Sequence, residues 1–417
     1  MGVVAPNGVG LAAFESALRA GRSGIRYIEK MEELGFACRV AGVPPGVDEL
    51  AEASFSAEAL MAMNSGMIHA CLAGFECWRD AGFTVPEPGD DTVHWDTGAI
   101  VGTGIGGLDT IGEKLVPGTD AGKIRRLGST MVEQTMASSV SASLSGFLAL
   151  GGQVTTNSSA CTTGTEAVVD GYFKIKEGRT KRVMAGGSEG SSHYIWAGFD
   201  AMRVLNRTSN EAPERASRPM SASAAGFIPA AGAGLLMLES LESALDRGAR
   251  IYAEVLGGHV NCGGQRAGGS MTAPNPAGVA RCVQGALSEA AISPGEIDLI
   301  NGHLTATMAD VLEVTNWSRA LERGPENFPM VNATKSLIGH GLGAAGGLEL
   351  IASTLQLTGG FVHGSLNCED LHPGLESFAS SIVQETIDAQ INVVAKASFG
   401  FGDVNGCVIL RRWENES

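Results

Sequence analysis

The chain has 417 residues, 44% of them hydrophobic and 18% charged, with a formal net charge of −16. That composition excludes intrinsic disorder over most of the length, and the acidic balance argues against nucleic acid as the main partner. No apolar run reaches the ~18 residues of a membrane span. The opening MGVVAPNGVG has no basic stretch leading into an apolar one, so no secretory signal and a cytoplasmic location are expected.

Glycine stands out, with 58 residues, about twice ordinary usage. The glycines cluster beside apolar segments, which points to tight turns and close backbone approach in an α/β protein. In chain order, a helical pattern covers 55–81 and a strand 97–101. A strand at 153–157 leads into a helix at 163–177, followed by strands at 182–185, 234–239 and 253–259. Then come a helix at 276–291, a strand at 299–301, a helix at 309–321, a strand at 328–332, a helix at 342–358, and strands at 391–397 and 406–410. Strands alternating with helices of this length predict a largely parallel sheet with helical layers. The eight cysteines form no CxxC pair and read mostly as small buried hydrophobes.

Two familiar patterns carry little weight. Gly102-x-Gly104-x-x-Gly107 matches a dinucleotide fingerprint, but no acid-ended strand follows at the usual distance. Gly186-x-Ser188-x-Gly190 matches a nucleophile elbow, but the residues after it are a poor helix start, so a tight turn after a buried strand is expected. The informative segment is QVTTNSSACTTGTEAVVDGYF, residues 153–173. It places Cys161 at a strand-to-helix turn, where the helix dipole favours thiolate. Three further segments each put a reactive or glycine-rich group near a strand end: NGHLTAT with His303, KSLIGH with Lys335 and His340, and SFGFG over 398–402. A cysteine, two histidines and a lysine so placed form a candidate acyl-transfer site built on a cysteine nucleophile.

These four segments resemble, in order and spacing, the active-site blocks of the β-ketoacyl-acyl-carrier-protein synthases, in particular the elongating type II branch, over nearly the whole chain. The resemblance implies a thiolase-like α/β fold: two duplicated α/β halves, 1–245 and 246–417, in five layers, αβαβα. It implies decarboxylative Claisen condensation, with an acyl group held on Cys161 attacked by the enolate of malonyl-carrier. His303 and His340 would hydrogen-bond the thioester oxygen as charge develops, and Lys335 would organise that polar site. The N–H groups of Cys161 and Phe401 would form the oxyanion hole, with Phe401 also the gate. Ile105 would sit at the mouth of the acyl pocket, Phe399 in the substrate-binding turn, and Thr305 and Thr307 on the phosphopantetheine arm. No cofactor beyond that arm and no metal are implied. The implied partners are the acyl carrier protein and a second subunit, as a homodimer or as a heterodimer with a ketosynthase-like chain. Relatives dock the acidic carrier on a basic helix. Here the matching residues 56–69 contain no Lys or Arg, leaving Lys123, Arg125, Arg126 and Arg207 as candidates.

Departures from the family pattern carry further expectations. The family begins with an apolar strand before a Gly-x-Gly-x-V/I segment; Met1 falls inside that segment, so the strand is expected to be missing, with its place filled by another segment or by a chain that starts earlier. Four charged family positions become Ser221, Ala224, Ala225 and Ala231 together, which reads as a compensated change. Leu304 replaces a glycine and is expected to narrow the arm tunnel, and Asp403-Val404 replaces Gly-Thr. Several relatives hold a monovalent cation with a glutamate matching Glu349 and a carbonyl matching Asn301. Lys396 stands where a small residue is usual, and its ammonium is expected to take over that charge. The competing function is a non-catalytic partner subunit that shapes a neighbour's pocket; keeping Cys161, His303, Lys335 and His340 together counts against it. Degradative thiolase chemistry is disfavoured because the gating turn holds phenylalanines in place of a second cysteine.

Overall fold

Segments 97–102 and 183–188 are apolar or small on both faces, which suits a strand covered on both sides. A computed structural model, describing residues 1–87 and 89–414, buries them side by side in a six-stranded sheet. Across it the order is Gly8–Val9, Gly2–Ala5, Gly232–Glu239, Arg182–Glu189, Thr97–Gly102, Val154–Thr155. A five-stranded sheet follows the order Met330–Asn332, Leu299–Asn301, Val393–Gly400, Val404–Arg412, Ala253–Cys262. Leaving aside the short Gly8–Val9, the strands of each sheet, taken in chain order as first to fifth, lie third, second, fourth, fifth, first. The duplication invisible at the residue level is therefore explicit in the topology.

The sheets are mixed, where a largely parallel sheet was expected. In each, the second, third and fourth strands are parallel, and the fifth runs antiparallel to both its neighbours. In the second sheet the reason is connection length. Only Phe401, Gly402 and Asp403 join Val393–Gly400 to Val404–Arg412, too few for a crossover. Positive φ at Gly402 (91°) and Asp403 (64°) makes the reversal.

Helices fill the layers around the sheets. Ser65–Asp80 and Ser139–Leu148 pack on the outer face of the first sheet, and Pro276–Ala290 and Ala309–Leu321 on the side of the second. Between the sheets lie Thr163–Lys176 and Ala345–Gly359, giving five layers. The latter is buried on every side from Ala345 to Leu357, as its run of small and apolar residues, interrupted only by Glu349 and Gln356, requires. Glycines set its closeness: a Cβ on Gly347 would fall 2.1 Å from the carbonyl oxygen of Gly234. The helical pattern over 55–81 is in fact two helices, Ala57–Met61 and Ser65–Asp80. Asn64 ends the run because its side chain accepts the Met67 N–H and caps the second helix.

The turn expected after 182–185 is absent. The strand continues to Glu189, and Ser188 donates to the Gly66 carbonyl at 2.7 Å, so neither an elbow nor a turn exists there. The first strand is not wholly lost either. Gly2–Ala5 takes its place, but along Gly232–Glu239 it reaches only Ala233–Leu235, leaving Leu236–Glu239 without a neighbour on that side among the described residues. A cavity of about 300 Å³ lies there, lined by residues including Met1, Leu236, Leu238, Tyr252, Val255 and Leu410. The Met1 ammonium closes one end by pairing with Asp80 at 2.5 Å.

Candidate active site

Cys161 lies in a single 3-10 turn, Ala160–Thr162, that runs into helix Thr163–Lys176. Thr163 braces the turn, accepting the Ser159 N–H at 2.9 Å and donating to the Ala160 carbonyl at 2.7 Å. The hairpin at 400–404 presses on it: a Cβ on Gly400 would lie 2.8 Å from the Ser159 carbonyl oxygen and 3.2 Å from the Cys161 nitrogen. Phe401 therefore brings its own N–H to the Cys161 sulfur. Its ring faces Phe199, with centroids 6.3 Å apart.

His340 is held by strand-like bonds to the loop before Gly232–Glu239, with its N–H on the Ile228 carbonyl at 2.7 Å and its carbonyl on the Ala230 N–H at 2.9 Å. Its Nε2 lies 3.1 Å from the Cys161 sulfur, and its Nδ1 accepts the Leu342 N–H at 3.1 Å. That acceptance fixes the tautomer: the neutral ring carries its proton on Nε2, facing the thiol. His303 is arranged alike. Its Nδ1 faces the Lys335 ammonium at 3.3 Å, so its proton also sits on Nε2. The rings stand edge to face, 5.3 Å apart, and Cys161, His303 and His340 bring one polar atom each within 4.8 Å of one another. Such a donor set suits a thiophilic dication such as zinc. The Lys335 ammonium beside His303 opposes one.

Burial governs the electrostatics. It pushes the Cys161 thiol up to about 11, against the pull of the Lys335 ammonium and the Phe401 N–H. It holds both histidines well below their ordinary value, helped by the charge of Lys335, so they are neutral. Lys335 itself ion-pairs with Glu349.

The remaining expected residues fall into three groups. Thr305 and Thr307 are half-buried and face each other, with hydroxyl oxygens 3.0 Å apart, on the loop after His303. Ile105 is half-buried against the cluster of Trp196, Phe227 and Leu342, and Phe399 lies 6.1 Å from the His303 ring. Asn301 is buried and donates to Asn332 and Thr334 side chains at 3.0 and 2.9 Å. Lys123, Arg125, Arg126 and Arg207 are exposed. Leu304 does not narrow the approach as expected. Its side chain is 1% exposed and packs into the core of the second sheet's helices, at the cost of a positive φ of 25°. Ala231 is likewise core, and Ser221 bonds Asp370, which also takes Arg218 at 2.9 Å.

Three buried acids belong to the site although none was singled out from the sequence. Glu313 accepts the N–H groups of His303 and Leu304 at 2.6 and 2.7 Å. Asp310 accepts those of Met220, Thr305 and Ala306 at 2.8 to 3.1 Å. Glu189 accepts those of Gly104, Ile105 and Gly343 at 2.9 to 3.2 Å. Burial raises Glu313 and Glu189 to about 7 and Asp310 to about 6. For Glu313 alone the sequence carries a signal, an acid inside the apolar run VLEV.

Family models match the chain in two consecutive stretches. Residues 1–244 match the N-terminal domain of beta-ketoacyl synthase, and 252–369 match its C-terminal domain. The chain belongs to the beta-ketoacyl synthase family. It is 33% identical over 421 residues to 3-oxoacyl-[acyl-carrier-protein] synthase 2 of Rhizobium meliloti, covering 99% of this chain and 97% of that one. Among solved structures it is similar to the ishigamide ketosynthase/chain length factor, with 30% identity, a TM-score of 0.86, and 99% and 98% of the two chains covered. It is also similar to a type II polyketide synthase acyl-carrier protein in complex with its ketosynthase bound to the hexaketide, with 26% identity, the same TM-score, and 99% and 98% covered. Likeness of that extent over the whole chain bears out the thiolase-like fold expected.

Proposed function

We propose that the protein condenses an acyl group, held as a thioester on Cys161, with malonyl-acyl-carrier protein to give a β-ketoacyl-carrier two carbons longer. The observation that carries this reading is the convergence of two neutral histidines, each with its proton on Nε2, on the Cys161 sulfur. A histidine so held is a donor, not a base. The thiol proton therefore leaves with the departing carrier thiol as the acyl chain transfers, and the N–H groups of Cys161 and Phe401 stabilise the tetrahedral oxyanion. Malonyl-carrier then loses CO2. His303 and His340 hydrogen-bond the enolate oxygen that forms, its carbon attacks the Cys161 thioester, and the thiolate leaves. Lys335 fixes His303 from behind.

In this reading the halves 1–245 and 246–417 each bring one side of the site, Cys161 from the first and both histidines from the second. The carrier supplies its substrate on phosphopantetheine, threaded past Thr305 and Thr307, with Lys123, Arg125, Arg126 and Arg207 meeting its acidic face. Ile105 and Phe399 line the acyl path. A second ketosynthase-like subunit, identical or not, completes the assembly. Among the described residues no helix is long and apolar enough to cross a membrane, which fits a cytoplasmic enzyme. A complete set of reactive residues favours this reading over a non-catalytic partner subunit. The test is intact mass after mixing with acyl-carrier thioesters, beside Cys161→Ala. One acyl group should add to the protein and none to the variant. No acylation of folded protein would reject the reading.

A further inference from the structure

One buried charge takes no part in that chemistry. Lys396 stands mid-strand in Val393–Gly400 with 0% exposure. Its ammonium donates to the Ala397 carbonyl and to the Ser398 hydroxyl at 3.0 Å. It also pairs with Glu349 Oε2 at 2.8 Å. The other oxygen of Glu349, which is 0% exposed, takes Lys335. Two ammonium groups thus share one carboxylate between the sheets, leaving a surplus positive charge.

Burying an ammonium is expensive, and an apolar side chain of similar volume would pack at least as well. The charge therefore calls for a use, and its contacts supply one. From Lys396 a chain of contacts runs through Glu349 to Lys335 and on to His303 Nδ1. Other groups also face the cluster. Glu313 lies on helix Ala309–Leu321, Cys407 on the adjacent strand, and His303 and His340 on their loops.

We propose that Lys396 is a positioning residue for the condensation: it holds the outer oxygen of Glu349, so that the inner oxygen fixes Lys335 against His303 Nδ1 and keeps the Nε2–H of His303 aimed at the enolate. This rests on the reading of the two histidines as donors to the enolate. Without Lys396 the outer oxygen of Glu349 is buried and unpaired, Lys335 is free to turn toward it, and the lesser of the two lysine charges acting on the rings is lost, while burial and Lys335 still act. Burial already weakens the hold of Lys396 on its own proton, yet Glu349 restores part of it.

The test compares wild type with Lys396→Met, which keeps the volume without the charge, and Lys396→Ala, which opens the oxygen-lined space. The readouts are acylation of Cys161, decarboxylation of malonyl-carrier across pH, and alkylation of Cys161 by iodoacetamide. Lys396→Met should still be alkylated and acylated. Its decarboxylation kcat should fall about tenfold with KM little changed, less than the ~10²–10³ of removing a donor outright because both histidines remain. Its acid limb should move up toward the ordinary histidine value of about 6.5. Lys396→Ala should lose as much and recover with ammonium chloride but not with tetramethylammonium chloride at equal ionic strength, while wild type responds to neither. Wild-type kcat and acid limb in Lys396→Met would overturn the proposal. If that variant does not fold, identical activity of Lys396→Ala in the two salts overturns it. A wild type that acylates but never decarboxylates malonyl-carrier would refute the condensation reading instead.

Discussion

Glu313 offers a quantitative check on how the site is built. Its carboxyl is buried and accepts two backbone N–H groups, yet its value is raised to about 7 from 4.5, because burial outweighs both bonds. A carboxyl raised in the folded state contributes stability that is complete below about pH 4.5 and is lost as pH rises through 7. The shift corresponds to about 3 kcal/mol. Glu313→Gln keeps the shape and cannot ionise, so it escapes that loss. The difference in unfolding free energy between the variant and wild type should therefore move by about 3 kcal/mol in the variant's favour between pH 4.5 and pH 8.5. Shared groups such as Glu189 cancel in the comparison. The variant should nevertheless be the poorer catalyst. An amide offers one acceptor where the carboxylate offers two, so either His303 or Leu304 meets an N–H with an N–H, and decarboxylation should fall about tenfold for ~1.4 kcal/mol of misplacement. Urea unfolding followed by tryptophan fluorescence at the two pH values, with kcat alongside, measures both. A stability difference that does not change with pH would refute the assignment of the ionisation to a buried Glu313.

The depressed values of His303 and His340 place the acid limb of the decarboxylation rate below pH 6.5; a pH–rate profile that falls at or above that value would contradict the neutral donor pair. The same depression makes stability fullest above pH 6.5 and draws it down as pH drops below, because the unfolded chain binds those protons first. Arg125→Glu with Arg126→Glu should raise KM for carrier substrates about tenfold, less so at high salt, and leave alkylation of Cys161 by a small reagent unchanged. Equal loss of both activities would indicate unfolding.

The sequence was most explicit where chemistry is local. Cys161 had to sit at a strand-to-helix turn because a β-branched run, small residues and a helix-forming stretch follow one another within 21 residues. Helix Ala309–Leu321 and strand Leu299–Asn301 were legible to the residue, since apolar periodicity needs only neighbours along the chain. Legibility failed where the deciding neighbour is distant. The strand Arg182–Glu189 looked as though it ended at a glycine-rich turn, but pairing with Gly232–Glu239 carries it to Glu189. Glu313 and Asp310 looked like ordinary helix acids until the turn after His303 folded onto them. Leu304 looked like an obstruction in the approach, and the core took its side chain instead.

By itself the sequence determined the reactive groups, their order and the alternation of strand and helix, because residue type and hydrophobic period are properties of a short stretch of chain, while the duplication became explicit only in the strand order. Only the tertiary structure decided what those groups do. The tautomers of His303 and His340 follow from a lysine and a backbone N–H that approach Nδ1, and the charge of Lys396 counts only because Glu349 and Lys335 are buried beside it. Protonation and field strength depend on what excludes water and what stands within a few ångströms, and both are set by segments far apart in the chain.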